Sequence, residues 1–256
     1  MEAGKCNSNQ TLFSDLDGTL IFSAARKQVG DIVIERKDGR EISCITARQS
    51  ELFPKLRNVI PVTTRSVEQY RRIEFARFGF SPKYALCANG GVLLVDGTPD
   101  AEWSERSLEI YRECEAELLR FSERLENDPR RSFEVRLVDG LFLFTKSADP
   151  PETLRYLGES ELCESFFTGE KVYVIPKKLN KGAAVKRLAE RLELSEFAAA
   201  GDSLMDLPML NAAYTAIFTD NIPESEVTSQ EKIVRPREGF AEFVTEAAHG
   251  FIAVGG

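Results

Sequence analysis

The sequence predicts an α/β protein in which a parallel sheet covered by helices is interrupted by an antiparallel α+β unit. Three observations carry this prediction. Short apolar runs alternate with amphipathic helical stretches up to about residue 98. The same alternation resumes near residue 177. The block between them holds a long helix, a shorter helix and two hairpins in the order αββαββ. The expected division is a core of residues 1–98 and 177–256 around an insert of residues 99–176.

In chain order, "FSDLDGTL" reads as the end of a strand at Asp15 followed by an Asp-Gly turn. "DIVIERKDGREISCI" alternates about Lys37-Asp38-Gly39 and reads as a β-hairpin. "TARQSELFPKL" is a helix, "NVIPVTTRS" a buried strand running into polar residues, and "SVEQYRRIEFARFGF" a helix closed by Gly79. "KYALCANGGVLLVDG" gives two short strands, and its "NGG" is a turn, because it lacks the spacing of a dinucleotide-binding loop.

In the insert, "SERSLEIYRECEAELLRFSERLE" is an amphipathic helix with Leu108, Tyr111, Leu118 and Leu125 among its apolar positions and a charged, solvated face opposite. "SFEVRLVDGLFLFTK" turns at Asp139-Gly140, "PETLRYLG" is a short helix, and "SFFTGEKVYVIP" is a further hairpin. The core resumes with the helix "LNKGAAVKRLAERLEL" and the strand, acidic loop and helix of "EFAAAGDSLMDLPML". The strands "YTAIF" and "KIVR" and the helix "EGFAEFVTEAAHG" close it.

The 256 residues are 43% hydrophobic and 29% charged, which is ordinary for a soluble globular chain. A formal net charge of −8 argues against general nucleic-acid or anionic-membrane binding, yet a bound divalent cation can still attract a phosphorylated ligand. The cysteines, Cys6, Cys44, Cys87, Cys114 and Cys163, are odd in number and scattered, which predicts reduced thiols in the cytoplasm. "MEAGKCNSNQ" has no signal-peptide core, and no apolar run approaches a membrane span. The single histidine, His249, falls at the end of the last predicted helix, so catalysis is expected from carboxylates, lysine and metal.

Carboxyl ends of neighbouring parallel strands converge on one crevice. Asp15, Asp17, Asp202 and Asp206 would crowd there, with Thr63, Thr64, Arg65 and Ser66 at the next strand end. Four carboxylates repel one another unless a cation neutralises them, and a hard oxygen-seeking ion, Mg²⁺, is the natural partner. Lys181 adds a positive charge and Thr63 a hydroxyl donor. Such a set can hold a phosphoryl group while Asp15 attacks it, giving an aspartyl-phosphate intermediate. Lys177 and Lys178 compete with Lys181 for the lysine role. Ser203 reads as a loop or capping residue.

"DLDGTL", "VTTRS", "NKG" and "GDSLMDLPML", in that order, resemble the four motifs of the haloacid dehalogenase-like (HAD) phosphatases. The insert is similar to their type IIB cap, found in sucrose-phosphate, mannosyl-phosphoglycerate and Cof-type phosphatases. The resemblance implies a three-layer Rossmann-like core and a Mg²⁺-dependent phosphohydrolase acting on a small phosphorylated metabolite, such as a sugar phosphate. By the same resemblance Asp15 is the nucleophile and shares the metal with Asp202, and Asp17 lends its main-chain carbonyl to the ion. The Asp17 side chain serves as acid and then base. Thr63 holds the phosphate, Lys181, within "NKG", steadies nucleophile and phosphate, and Asp206 supports the metal. Thr64 stands where relatives carry the glycine of T-G-R, and it is grouped with Arg65 as a substrate contact.

The chain departs from the family pattern at Met205, where asparagine is common, and in "AAYTAIFTDN", where Asn221 is an approximate match. The 31–45 hairpin also lengthens the flap. A phosphotransferase or mutase, which would leave phosphate on a product, is an alternative. A catalytically quiet phosphate- or metal-binding module is another, separated by a turnover assay. If Asp139-Gly140 is a two-residue turn, Val138 pairs with Leu141, Arg136 with Leu143 and Glu134 with Thr145. Glu134, Arg136 and Thr145 then share a polar face, on which Glu134 and Arg136 are expected to read the leaving group.

Overall fold

The computed structural model describes residues 11–253; Cys6 and the leading segment "MEAGKCNSNQ" lie outside the described residues. Two compact units form. One takes in the described residues up to Gly90, Leu94–Thr98 and those from Lys181 onward; the other takes in Gly91–Leu93 and Pro99–Asn180.

The first unit is built on five parallel strands in the spatial order Glu231–Arg235, Thr215–Thr219, Ala198–Gly201, Leu12–Ser14, Val59–Pro61. The register places Ser14 beside Ala200 on one side and Pro61 on the other, so the three strands end level. The inner strands read as continuous apolar runs because both faces are covered. Leu12, Leu16, Leu20, Ile217, Phe240 and Val244 share one buried cluster with Phe53, Phe75 and Phe80. The last three rings meet at 5.1–5.9 Å between centroids. Each such ring removes enough apolar surface to contribute about 2–3 kcal/mol.

The flap hairpin forms as predicted, from Ile32–Lys37 and Arg40–Ile45. Asp38 (φ 50°) and Gly39 (φ 75°) both take the left-handed conformation that a tight two-residue turn requires. The predicted helix over "SVEQYRRIEFARFGF" is broken. Ser66 caps a helix of only Val67–Arg71, and a 3₁₀ turn covers Phe75–Phe78 before Gly79 closes it. The reason is tertiary. Ile73 bridges to Glu35 of the flap, and the Glu74 N–H donates to the Ile34 carbonyl at 2.9 Å. Strand pairing there replaces the helical bonds that the local pattern favours.

The second unit follows the αββαββ order: a helix Ala101–Glu126, strands Arg136–Val138 and Phe142–Lys146, a helix Pro150–Leu157, and strands Cys163–Thr168 and Lys171–Pro176. Asp100 caps the long helix by accepting from the Trp103 N–H at 2.9 Å, so the helix begins three residues before the predicted Ser104. Cys114, Leu118, Phe121 and Leu125 pack on Leu143, Val172 and Val174.

The first hairpin corrects the expected register. Leu141 is buried and joins Asp139 and Gly140 in a three-residue turn, so Val138 pairs with Phe142, Leu137 with Leu143 and Arg136 with Phe144. A slip of one residue exchanges the faces. Arg136 therefore stands with Phe144 and Tyr173, and buried Thr145 stands on the face that meets the helix.

The described cysteines, Cys44, Cys87, Cys114 and Cys163, are buried free thiols. Burial, followed by the Cys114 neighbour, pushes the Cys163 thiol up to about 12. Among the described residues no helix is long and apolar enough to cross a membrane.

Candidate active site

The level strand ends set the site. Asp15 follows Ser14 and donates its N–H to the Ala200 carbonyl at 2.9 Å, which ties the end of its strand to the neighbouring strand. Lys181 opens the helix Lys181–Arg191, and its ammonium, 2% exposed, donates to Asp15 Oδ1 at 2.5 Å and to Asp206 Oδ1 at 2.6 Å. The other Asp206 oxygen accepts from the Asp202 N–H (3.1 Å), the Ser203 N–H (3.0 Å) and the Ser203 hydroxyl (3.0 Å). Asp206 is thus the pivot of the loop that carries Asp202, and Ser203 is a capping residue as expected.

Glycine makes the close approach possible. A Cβ on Gly18 would lie 2.2 Å from Asp202 Oδ2, and Gly18 has φ 94°, so side-chain size and backbone conformation both demand glycine. A Cβ on Gly182 would lie 2.3 Å from the Pro208 carbonyl, which explains why the lysine is followed by glycine.

Oxygens of Asp15, Asp202 and Asp206 lie within 4.8 Å of one another. Two cations, the buried Lys181 ammonium and the exposed Arg237 guanidinium 3.9 Å from Asp202 Oδ2, face three acids, so negative charge is in excess, and the set has the donor chemistry to hold a hard divalent cation. Burial above all, and then Asp206, Asp202 and Asp17, push the Asp15 carboxyl well above its usual range against the pull of Lys181. Burial would lower Lys181, but Asp15 and Asp206 outweigh it and hold the ammonium above its ordinary value. Burial and Asp206 push Asp202 up to about 6.

Folded Asp202 keeps its proton up to about pH 6, whereas an unfolded aspartate releases it near 3.8. The raised value means that stability is lost as pH rises through that window. Asp202→Asn is expected to be more stable than wild type at pH 7.5 in chelator, by about 2–3 kcal/mol. The gap should close towards pH 4. Thermal unfolding of both proteins across that range checks it.

Thr63, 1% exposed, accepts the Arg65 N–H on Oγ1 at 3.1 Å, which leaves its own proton to be donated. Arg65 holds Asp17 with two parallel bonds of 2.7 Å, Nε to Oδ2 and Nη2 to Oδ1. It also donates to Glu35 Oε2 at 2.8 Å and to the Ser43 hydroxyl at 3.1 Å. Burial works against its charge, and Asp17 and Glu35 outweigh that, raising its pKa further. The guanidinium expected to meet substrate is therefore engaged with Asp17, and Thr64 beside it is half-buried. Sequence reasoning missed Glu35 altogether.

Of the three candidate lysines, Lys181 is the one brought to the acids. Lys178 pairs with Glu113 at 2.6 Å, and Lys177 donates to the Ser160 carbonyl at 2.9 Å. On the second unit, Arg136 and Glu134 form an ion pair with each other, and Arg136 lies 4.6 Å above the Phe133 ring.

Parallel strands ending on carboxylates, with a buried lysine between them, define the class as an α/β protein with an acidic centre at the strand ends. The model of the haloacid dehalogenase-like hydrolase family matches residues 121–234. Similar solved structures include the sucrose-phosphatase of Synechocystis sp. PCC6803 in complex with sucrose and phosphate, at 18% identity and TM-score 0.64, covering 96% of this chain and 98% of that one. The C-terminal domain of the C. albicans trehalose-6-phosphate phosphatase is 15% identical, with TM-score 0.57 and coverage of 95% and 93%. A haloacid dehalogenase-like hydrolase from B. subtilis is 18% identical, with TM-score 0.56 and coverage of 91% and 98%. Among curated proteins none matches the sequence. The chain has the fold of these haloacid dehalogenase-like phosphatases, and residues 121–234 of it match that family's model.

Proposed function

We propose that the protein is a Mg²⁺-dependent phosphohydrolase of the cytoplasm that cleaves a small phosphorylated metabolite, of the sugar-phosphate kind, through an aspartyl-phosphate. The observation that carries this reading is the buried Asp15–Lys181–Asp206 chain, with Asp202 alongside, at level strand ends. The buried free thiols support an intracellular setting. The sugar-phosphate class rests on the names of structural neighbours, which show a shared fold.

In this reading Lys181 holds Asp15 Oδ1, leaving Oδ2 to attack phosphorus. As that bond forms, the bond from phosphorus to the leaving oxygen breaks, and a protonated Asp17 gives its proton to the departing alkoxide. Arg65 faces the carboxylate left behind. Asp17 then takes a proton from water, whose oxygen attacks phosphorus and releases Asp15. Thr63 donates to a phosphate oxygen through its free proton. A divalent ion held by Asp15, Asp202 and Asp206, together with the Asp17 main-chain carbonyl, would neutralise charge on the transferring group. Thr64, Glu134 and Arg136 are proposed substrate contacts.

The test is phosphate release from a broad panel of phosphorylated metabolites, with Mg²⁺ and with chelator. Metal-dependent release, strongest on sugar phosphates, is the expected result. Retention of phosphate on a second product would instead identify a phosphotransferase, and no turnover with any compound would count against the enzyme reading.

A further inference from the structure

We infer that Glu35, on the flap hairpin, is a positioning residue: it anchors Arg65 so that Arg65 can orient Asp17 for proton transfer to the leaving group. The assignment rests on the phosphohydrolase reading above and goes beyond it by placing a flap side chain in the catalytic apparatus.

Glu35 is a carboxylate with no exposed surface, on a strand whose neighbours Val33 and Ile34 are apolar. Buried charges are retained only where they are fully paired. This one has three partners: Arg65 Nη1 at 2.8 Å, Arg72 Nε at 3.2 Å and the Ser43 hydroxyl at 2.7 Å. The hairpin deforms to present it. Its register shifts on both sides of Glu35, between Val33 and Glu35 and again between Glu35 and Arg36. Bulges of this kind re-aim one side chain and are common beside active sites. The same residue bridges to Ile73, so the break in the predicted helix and the placement of Arg72 belong to one arrangement.

The chain of contacts is direct. Glu35 and Ser43 take one edge of the Arg65 guanidinium, and Asp17 takes the other with two bonds. A guanidinium is planar and rigid, so fixing one edge fixes the direction of the other. Arg65 is 11% exposed on its side chain, which leaves little solvent to replace a lost partner. Without Glu35, Arg65 loses its anchor and Asp17 its orientation.

Leaving-group chemistry gives a readout that a merely structural role would not move. An alkoxide must be protonated as it leaves, whereas p-nitrophenolate leaves without help. kcat/KM reports the steps through the first irreversible one, the expulsion of the leaving group. In Glu35→Gln, kcat/KM for an alkyl phosphate that the wild type turns over is expected to fall about 10–100-fold, within the range of general acid catalysis. For p-nitrophenyl phosphate it should fall less than about threefold.

Ser43→Ala removes one bond to Glu35 and one to Arg65 without changing charge. It should show the same split at about three- to tenfold, and it tests the assignment if Glu35→Gln does not fold. Equal losses on the two substrates, or no loss on either, overturn the role of Glu35 and leave the phosphohydrolase reading standing. Wild-type protein without turnover overturns that reading and this assignment with it.

Discussion

Asp15→Asn should abolish turnover while leaving the fold as stable as wild type or more so. The amide cannot form the aspartyl-phosphate, and loss of a nucleophile costs on the order of 10⁴–10⁶ in rate. Stability moves the other way. Burial and the neighbouring acids hold the Asp15 carboxyl well above its usual range, so its ionised form is disfavoured in the folded protein despite Lys181. A neutral side chain of the same shape removes that penalty, and Lys181 keeps Asp206 at 2.6 Å. The sign of each effect can be read by measuring phosphate release and thermal unfolding on one preparation at pH 7.5 in chelator. An inactive, stabilised variant identifies a group kept for chemistry at a cost in stability. Turnover that survives undiminished would remove Asp15 from the mechanism.

Much of this centre was legible because a parallel sheet with level strand ends needs few long-range facts. Once "LFS", "VIP" and "AAAG" are read as adjacent strands, Asp15, Thr63 and Asp202 must emerge at one edge, and the observed register does bring Ser14, Pro61 and Ala200 side by side. Lys181 was favoured over Lys177 and Lys178 because Asn180 and Gly182 complete the "NKG" motif, and the structure explains that glycine by the Pro208 carbonyl.

The rest depended on packing that leaves no local trace. Glu35 looks like an ordinary charged residue near the end of a hairpin strand, and only its register shift and two arginine partners distinguish it. Arg65 carries the donors of an anion-binding side chain, and its sequence context does not reveal that Asp17 and Glu35 already occupy them. The helix over residues 66–79 fails for the same reason, because Ile73 and Glu74 find strand partners on that hairpin. The turn at Asp139-Gly140 matches a two-residue loop by composition, yet burial of Leu141 adds a third residue and moves Arg136 to the aromatic face.

Lys181→Met separates the electrostatic work of the lysine from its catalytic work. The side chain is 2% exposed and lies between two buried carboxylates, so an apolar replacement of similar length fills its volume and leaves both acids uncompensated. Breaking a buried pair in this way costs about 3–5 kcal/mol. At pH 8 in chelator the variant should therefore unfold well below wild type. Lowering the pH should narrow the gap, because the stranded acids can take up protons. A divalent cation should narrow it too, since positive charge at the three carboxylates replaces the missing ammonium. It should not restore turnover, because the ion cannot supply the hydrogen bond that holds Asp15 Oδ1. Stability regained with Mg²⁺ while activity stays absent would show that metal and lysine share one task, neutralisation, and that only the lysine orients the nucleophile. Equal stability of variant and wild type in chelator at pH 8 would mean that the centre's charge is balanced by some other group, and the pairing assigned to Lys181 would have to be withdrawn.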